Sequence, residues 1–198
     1  KDTTLFRSSS IRYRGWLYNA TINQFCGIFN GAGHTVSGLK IDGVVRDDKN
    51  AVSNLLSNCY TGLFSYIGQT GVVRNLNIAD DCEFMHYSYG GSVAGVNQGL
   101  VENCRNYAAV NAMTSYVGGI VGYNHTGGKV NKCYNGGAVN FGTANGGGIV
   151  GYNAATACVS KCQNDGDVFN KSFDKVTEKT KTNCVGGVVG TNYGKIEC

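Results

Sequence analysis

The sequence predicts an all-β chain wound as a parallel β-helix, and three observations carry that expectation. A glycine-bounded phrase recurs, its copies keep a fixed interval, and the composition suits a backbone committed to ladders. The phrase reads Gly118-Gly119-Ile120-Val121-Gly122-Tyr123-Asn124, then Gly147-Gly148-Ile149-Val150-Gly151-Tyr152-Asn153, then Gly186-Gly187-Val188-Val189-Gly190-Thr191-Asn192. A weaker copy stands at Gly91-Ser92-Val93-Ala94-Gly95-Val96-Asn97. Between the copies, Val101-x-x-Cys104, Val130-x-x-Cys133 and Val159-x-x-Cys162 recur every 29 residues. Val110, Val139 and Val168 keep the same step, as do Asn106, Asn135 and Asn164.

The elements follow from these phrases in order. An early unit carries Leu63-Phe64, then Val73-x-x-Leu76 and Ile78 in the same roles. Each unit holds three short β-branched stretches bounded by Gly or Asn, which read as strands. Helical spacing of apolar residues is nearly absent. The unit is too short for a four-stranded propeller blade, which needs about 40 residues. Three short strands per unit, stacked in parallel, place equivalent residues about 4.8 Å apart on successive coils. The 30 glycines supply corners, and Asn tolerates the same left-handed backbone while its amide bonds to the Asn above and below. The chain has no Pro, as expected where nearly every backbone N–H donates to a ladder.

Length and charge bound the rest. At 198 residues the stack is expected to be one domain, residues 1–198, of about six to seven coils. The net charge of +4 is mild, and the one lysine cluster, Lys171, Lys175, Lys179 and Lys181, reads first as a solvated loop. No basic stripe interleaved with aromatics points to nucleic acid. No apolar run reaches the ~18 residues of a membrane span. The repeat breaks off in mid-coil at Gly194-Lys195-Ile196-Glu197-Cys198, so the polypeptide is expected to continue. Cys104, Cys133 and Cys162 are expected to form an inward column of small apolar thiols, with Leu76 in the same phase. Ile196-x-Cys198 is one residue short of that spacing, so Cys198 should fall outside the column. A local Cys158–Cys162 bridge stays open as a lesser alternative.

These units resemble the GLUG repeats of bacterial surface proteins. Phe25-Cys26-Gly27-Ile28-Phe29-Asn30-Gly31-Ala32-Gly33-His34-Thr35-Val36-Ser37-Gly38-Leu39 is similar to the opening segment of such proteins, with Asn30 at a usual Asp. Thr61-Gly62-Leu63-Phe64-Ser65-Tyr66-Ile67-Gly68 resembles the next unit, so the likeness covers roughly residues 25–198. The resemblance implies an all-β, right-handed parallel β-helix (solenoid) in exported or cell-surface proteins, among them adhesin-like chains and a region of some immunoglobulin A metallopeptidases. It transfers no catalytic residue. The zinc motif of those peptidases needs His-Glu-x-x-His, and His34, His86 and His125 are each followed by a residue other than Glu.

Parallel β-helices also carry polysaccharide lyases and glycoside hydrolases, whose chemistry needs carboxylates ~5–9.5 Å apart in one groove. The regular coils avoid stacking acids: Asn131 and Ser160 share the phase of Glu102. One group survives. Aligning Leu39-x-Ile41 with Leu76-x-Ile78 would bring Asp42 near Asp80 and Asp81, with Lys40 and Arg46 close by, for Ca²⁺ or acid–base chemistry. The competing reading is a solvated turn. His34 reads as a structural histidine of the turn signature.

Two insertions break the interval, residues 43–60 and about ten residues within Asn170 to Cys184, and loops on a rigid scaffold are the expected contact surfaces. Lys175 and Lys179 belong to the second. Tyr66, Tyr123 and Tyr152 share one phase with Val96 and Thr191. Facing out, their rings would hold a sugar or a protein; facing in, they are core. No Thr array of the ice-binding kind repeats. The expectation is a non-catalytic extracellular or bacterial cell-surface scaffold, adhesin-like and needing no cofactor. It would be a monomeric segment of a larger chain, with a host or neighbouring-cell protein or glycan as partner. A carbohydrate-active β-helix enzyme using Asp42, Asp80 and Asp81 is the alternative.

Overall fold

In the computed structural model of the protein, residues 4–7, 24–43, 60–171 and 184–198 are described. Among them every strand pairing is parallel, and the strands stack into a β-solenoid with four faces. One coil starts with a long strand, Val110–Gly118. The chain then turns into Val121–Asn124, Lys129–Asn131 and the two-residue Tyr134–Asn135 before Val139–Gly147 opens the next coil. We call these the long, second, third and fourth faces. The expected three strands per unit are thus corrected to four. The stretch at Val110 and the Gly118-Gly119 phrase share one nine-residue strand, and the Asn106 segment makes a face of its own.

The register carries the 29-residue arithmetic directly. Val101 lies opposite Val130 and Val130 opposite Val159; Val110 lies opposite Val139 and Val139 opposite Val168. The third face holds six strands and the second holds five. The described residues therefore wind four to five full turns, fewer than the six to seven expected. The two insertions that break the interval fall at the same place, inside the long strand. In the first regular coil that strand is split into Lys40–Asp42 and Tyr60–Thr61, and in the last into Val168–Asn170 and Val185–Gly186. Residues 44–59 and 172–183, between the halves, lie outside the described residues. Of the two coils whose long strand is unbroken, Val110–Gly118 marks the same point with Ser115 at φ 65.

Inward positions fill with branched aliphatics. Val73, Val101 and Val130 are fully buried on the third face, and Ile120 and Ile149 at the turn into the second. Each such side chain contributes about 1.5–3 kcal/mol of burial. The thiol column is present: Cys104 and Cys133 are buried below Leu76, and half-buried Cys162 packs on the same core. Their thiols donate to the carbonyls of Val73, Val101 and Val130, one coil up, at 3.7–3.8 Å. Burial pushes the Cys133 thiol well above the usual thiol range. The eight cysteines of the described residues are all free, Cys158 and Cys162 included. Ile196 lies opposite Val159 and Glu197 opposite Ser160, so Cys198 stops one position short of the column.

Polar ladders close the corners. Asn97 donates to Asn124, Asn124 to Asn153 and Asn153 to Asn192, each at 2.8 Å. A second ladder runs from Asn106 through Asn135 to Asn164 at 2.7 Å per step. Asn97, Asn106, Asn124, Asn135 and Asn153 are fully buried, so these amides offset the polarity of corners that water does not reach.

Candidate functional site

The tyrosine phase resolves into an outward strip. On the second face Tyr66, Val96, Tyr123, Tyr152 and Thr191 lie in register, and the three rings are half-buried outside the aliphatic core. The opposite side of these strands is taken by Ser65 in the first and by Gly95, Gly122, Gly151 and Gly190 in the rest. A Cβ at Gly151 would stand 2.6 Å from the Val117 amide nitrogen and 2.7 Å from the Gly122 carbonyl, so the second face lies directly on the backbone of the long face. That contact leaves the tyrosines no inward room. It also brings in rings the sequence reading missed. Tyr60 lies opposite Tyr89 on the long face, and Tyr116 follows one coil on.

The two rows merge into one patch. Ring centroids are 6.1 Å apart for Tyr60–Tyr66, 5.9 Å for Tyr89–Tyr123, 4.7 Å for Tyr116–Tyr152 and 5.1 Å for Tyr123–Tyr152. Tyr193, 68 % exposed, extends it at 5.5 Å from Tyr152. Val96 is only 1 % exposed between its tyrosine neighbours. Burial holds the phenols of Tyr66, Tyr89, Tyr116 and Tyr123 above the ordinary tyrosine range. The patch therefore offers neutral hydroxyls and apolar ring faces. His125 closes one side, edge-on to Tyr123 at 5.2 Å, with Nδ1 2.9 Å from the Gln98 amide. A phase count along the second half of the long strand, from Tyr60 to Tyr89 to Tyr116, was the available signal.

The carboxylate group assembles differently from its expected alignment. Val36, and not Ile41, lies opposite Ile78; Ile41 lies opposite Phe84. The reason is the corner at Gly38, φ 66, which ends the fourth-face strand Thr35–Ser37 before Lys40 begins the next. Asp42 therefore stands on the long face opposite Met85. Asp80 and Asp81 occupy the turn before that face. Asp81 accepts from the Ser37 hydroxyl at 2.6 Å and the Gly38 amide at 2.9 Å, which caps this corner. Lys40 pairs with Glu83 at 2.7 Å. Asp80 is exposed beside an open depression lined by Thr35, Asn77, Ala79 and Tyr107. The His34 amide closes a tight turn on the Gly31 carbonyl at 2.8 Å. Arg46, Lys175 and Lys179 lie outside the described residues. Among the described residues no group of three His, Cys, Asp or Glu side chains is placed to hold a metal ion, and no helix is long and apolar enough to cross a membrane.

Stacked parallel coils with a continuous core and an outward aromatic patch define a repeat protein of the β-solenoid class. The chain is similar to halomucin of Haloquadratum walsbyi, at 31% identity over 104 residues, which is 52% of this chain and 1% of halomucin. The chain thus spans a very small part of that relative's length. This likeness and the solenoid fold fit a surface repeat protein. No family model matches the chain, so the GLUG resemblance rests on the phrases quoted for it. No solved structure matches it.

Proposed function

We propose that the chain is a non-catalytic extracellular scaffold, an adhesin-like interaction module displayed at a cell surface. The observation that carries this reading is the tyrosine patch. Its seven rings come from successive coils of a stiff stack and stay partly open to solvent. Aromatic rings with neutral hydroxyls bind ring-shaped or extended partners at low entropic cost, because a tyrosine fixes only two side-chain torsions. The partner is a protein or glycan of a host or neighbouring cell. The likeness to halomucin supports a place at the surface.

The test is retention of the immobilised protein on cells and on a glycan array, wild type against the Tyr123→Ala, Tyr152→Ala double variant. Binding should fall at least about tenfold, the usual scale for two central aromatic anchors. Equal binding by both proteins would sink the reading. Incubation with polyuronides and neutral glycans should release neither unsaturated products nor new reducing ends. Turnover lost in Asp80→Ala would install the enzyme in its place.

A further inference from the structure

A second site lies on the fourth face, away from the tyrosine patch. Two outward columns run along that face. One holds Thr35, Asn77, Arg105, Tyr134 and Gln163 in register. The adjacent column, one residue pair further along, holds Ala79, Tyr107, Gly136 and Asp165. Tyr107 therefore stands between two small residues, with a dip on either side. The dip at Gly136 is filled. A Cβ there would lie 3.0 Å from the Tyr134 hydroxyl, and the Tyr134 ring packs against Tyr107 at 5.7 Å. That ring is further fixed by Arg105, 5.8 Å from its centroid, and by a hydroxyl bond of 3.2 Å to Asp165.

The dip at Ala79 stays open. It forms a depression of ≈ 430 Å³ lined by Thr35, Asn77, Ala79, Asp80 and Tyr107. Tyr107 is 43 % exposed, and Asp80 is exposed on the same rim. The depression thus has a small apolar floor, an aromatic wall, and a hydroxyl, an amide and a carboxylate around it. Its size falls in the range of small-molecule sites.

We propose that this depression is a saccharide-binding subsite for a neutral pyranose. The C–H face of the sugar packs on the Tyr107 ring over Ala79. Asp80 accepts hydrogen bonds from adjacent sugar hydroxyls, the charge-assisted kind that a carboxylate makes best. The Thr35 hydroxyl and the Asn77 side-chain oxygen supply the further polar contacts, the Asn77 nitrogen being held by the Gly33 carbonyl at 2.8 Å. A carboxylate on the rim discriminates against acidic sugars by like-charge repulsion. One ring and a few rim hydrogen bonds give weak affinity per subsite, on the order of 1 mM, which a surface repeat would raise by multivalency.

The experiment is saturation-transfer NMR with isothermal titration on the full chain. The probes are methyl β-glucopyranoside, methyl β-galactopyranoside and galacturonic acid. At least one neutral glycoside should bind saturably, and galacturonic acid at least about tenfold more weakly. Tyr107→Ala and Ala79→Leu should each weaken the neutral glycoside about tenfold or more, the first by removing the wall and the second by filling the dip. Both positions face solvent, and unchanged circular dichroism certifies the fold. Tyr123→Ala should leave this binding unaltered, which separates the subsite from the tyrosine patch. The proposal is overturned by failure of both neutral glycosides to bind, by equal affinity for galacturonic acid, by Tyr107→Ala or Ala79→Leu variants that bind like wild type, or by loss of binding in Tyr123→Ala.

Discussion

Asn75, Asn103, Lys132 and Lys161 occupy one position on four successive coils, with φ of 55, 49, 53 and 51°. Asn accepts this left-handed backbone more readily than Lys, whose Cβ crowds the following carbonyl. Asn103 also donates to Asn75 at 2.8 Å and Asn75 to Asn30 at 3.0 Å, a ladder that ends where lysine begins. Replacing Lys132 by Gly or Asn should therefore stabilise the fold by about 0.5–1 kcal/mol, read as a higher urea midpoint. His86 points the other way. Its ring is fully buried, Nδ1 lies 2.5 Å from the Thr61 hydroxyl and Nε2 has no hydrogen-bond partner. Burial lowers its pKa from 6.5 to about 3. The fold thus holds the neutral ring, and protonation favours the unfolded chain. This contribution is complete above pH 6.5 and shrinks by about 1.4 kcal/mol per pH unit below it, down to about pH 3. Urea midpoints between pH 7 and pH 5 should fall in wild type and fall less in His86→Phe.

At the scale of the strand, neighbouring coils trade volume across the long face. His86, Ala112 and Phe141 form one inward column, and Gly90, Val117 and Gly146 another. A Cβ at Gly90 would meet the His86 ring at 2.1 Å, and one at Gly146 would meet the Phe141 ring at 2.0 Å. A large ring thus sits over glycine in two coils, while the coil between them pairs Ala112 with Val117. Ala112→Phe alone should cost about 1–3 kcal/mol by overpacking, and Val117→Gly in the same chain should recover part of it. The double-mutant cycle by urea unfolding measures that coupling; simple additivity would refute it. The asparagine ladder behaves as another unit. Asn124 donates to Asn153 at 2.8 Å and to the Gly128 carbonyl at 3.2 Å while accepting from Asn97. Asn124→Ala takes the shortest acceptor from Asn97 on one adjoining coil and the donor from buried Asn153 on the other, and should cost about 2–3 kcal/mol by the same assay.

Over the whole molecule, each coil rests only on its neighbours, so the repeat is the unit of folding. Removing residues 119–147 joins Gly118 to Gly148 in the phase that Gly119 held, because Gly118 lies opposite Gly147. That shortened chain should keep a β-rich circular dichroism spectrum and unfold at lower urea. Removing half as many residues should abolish folding, since it turns every later inward side chain onto another face. Much of this was legible in the sequence. The step of 29 residues placed the valine, cysteine and asparagine columns, and the missing residue before Cys198 correctly put it outside the thiol column. The Asp42 alignment failed because two apolar residues spaced alike, Ile41 and Ile78, belong to different faces once Gly38 turns the chain.

Period and residue type were enough, unaided, to establish stacked parallel coils and the columns that fill them, because identical side chains one step apart must meet wherever the winding is regular. The outward turn of the tyrosines, their union with Tyr60, Tyr89 and Tyr116, and the open dip beside Tyr107 were decided only in three dimensions. Each depends on how closely two faces approach and on which small residue leaves room, and both are properties of backbone placement between strands that no single repeat encodes.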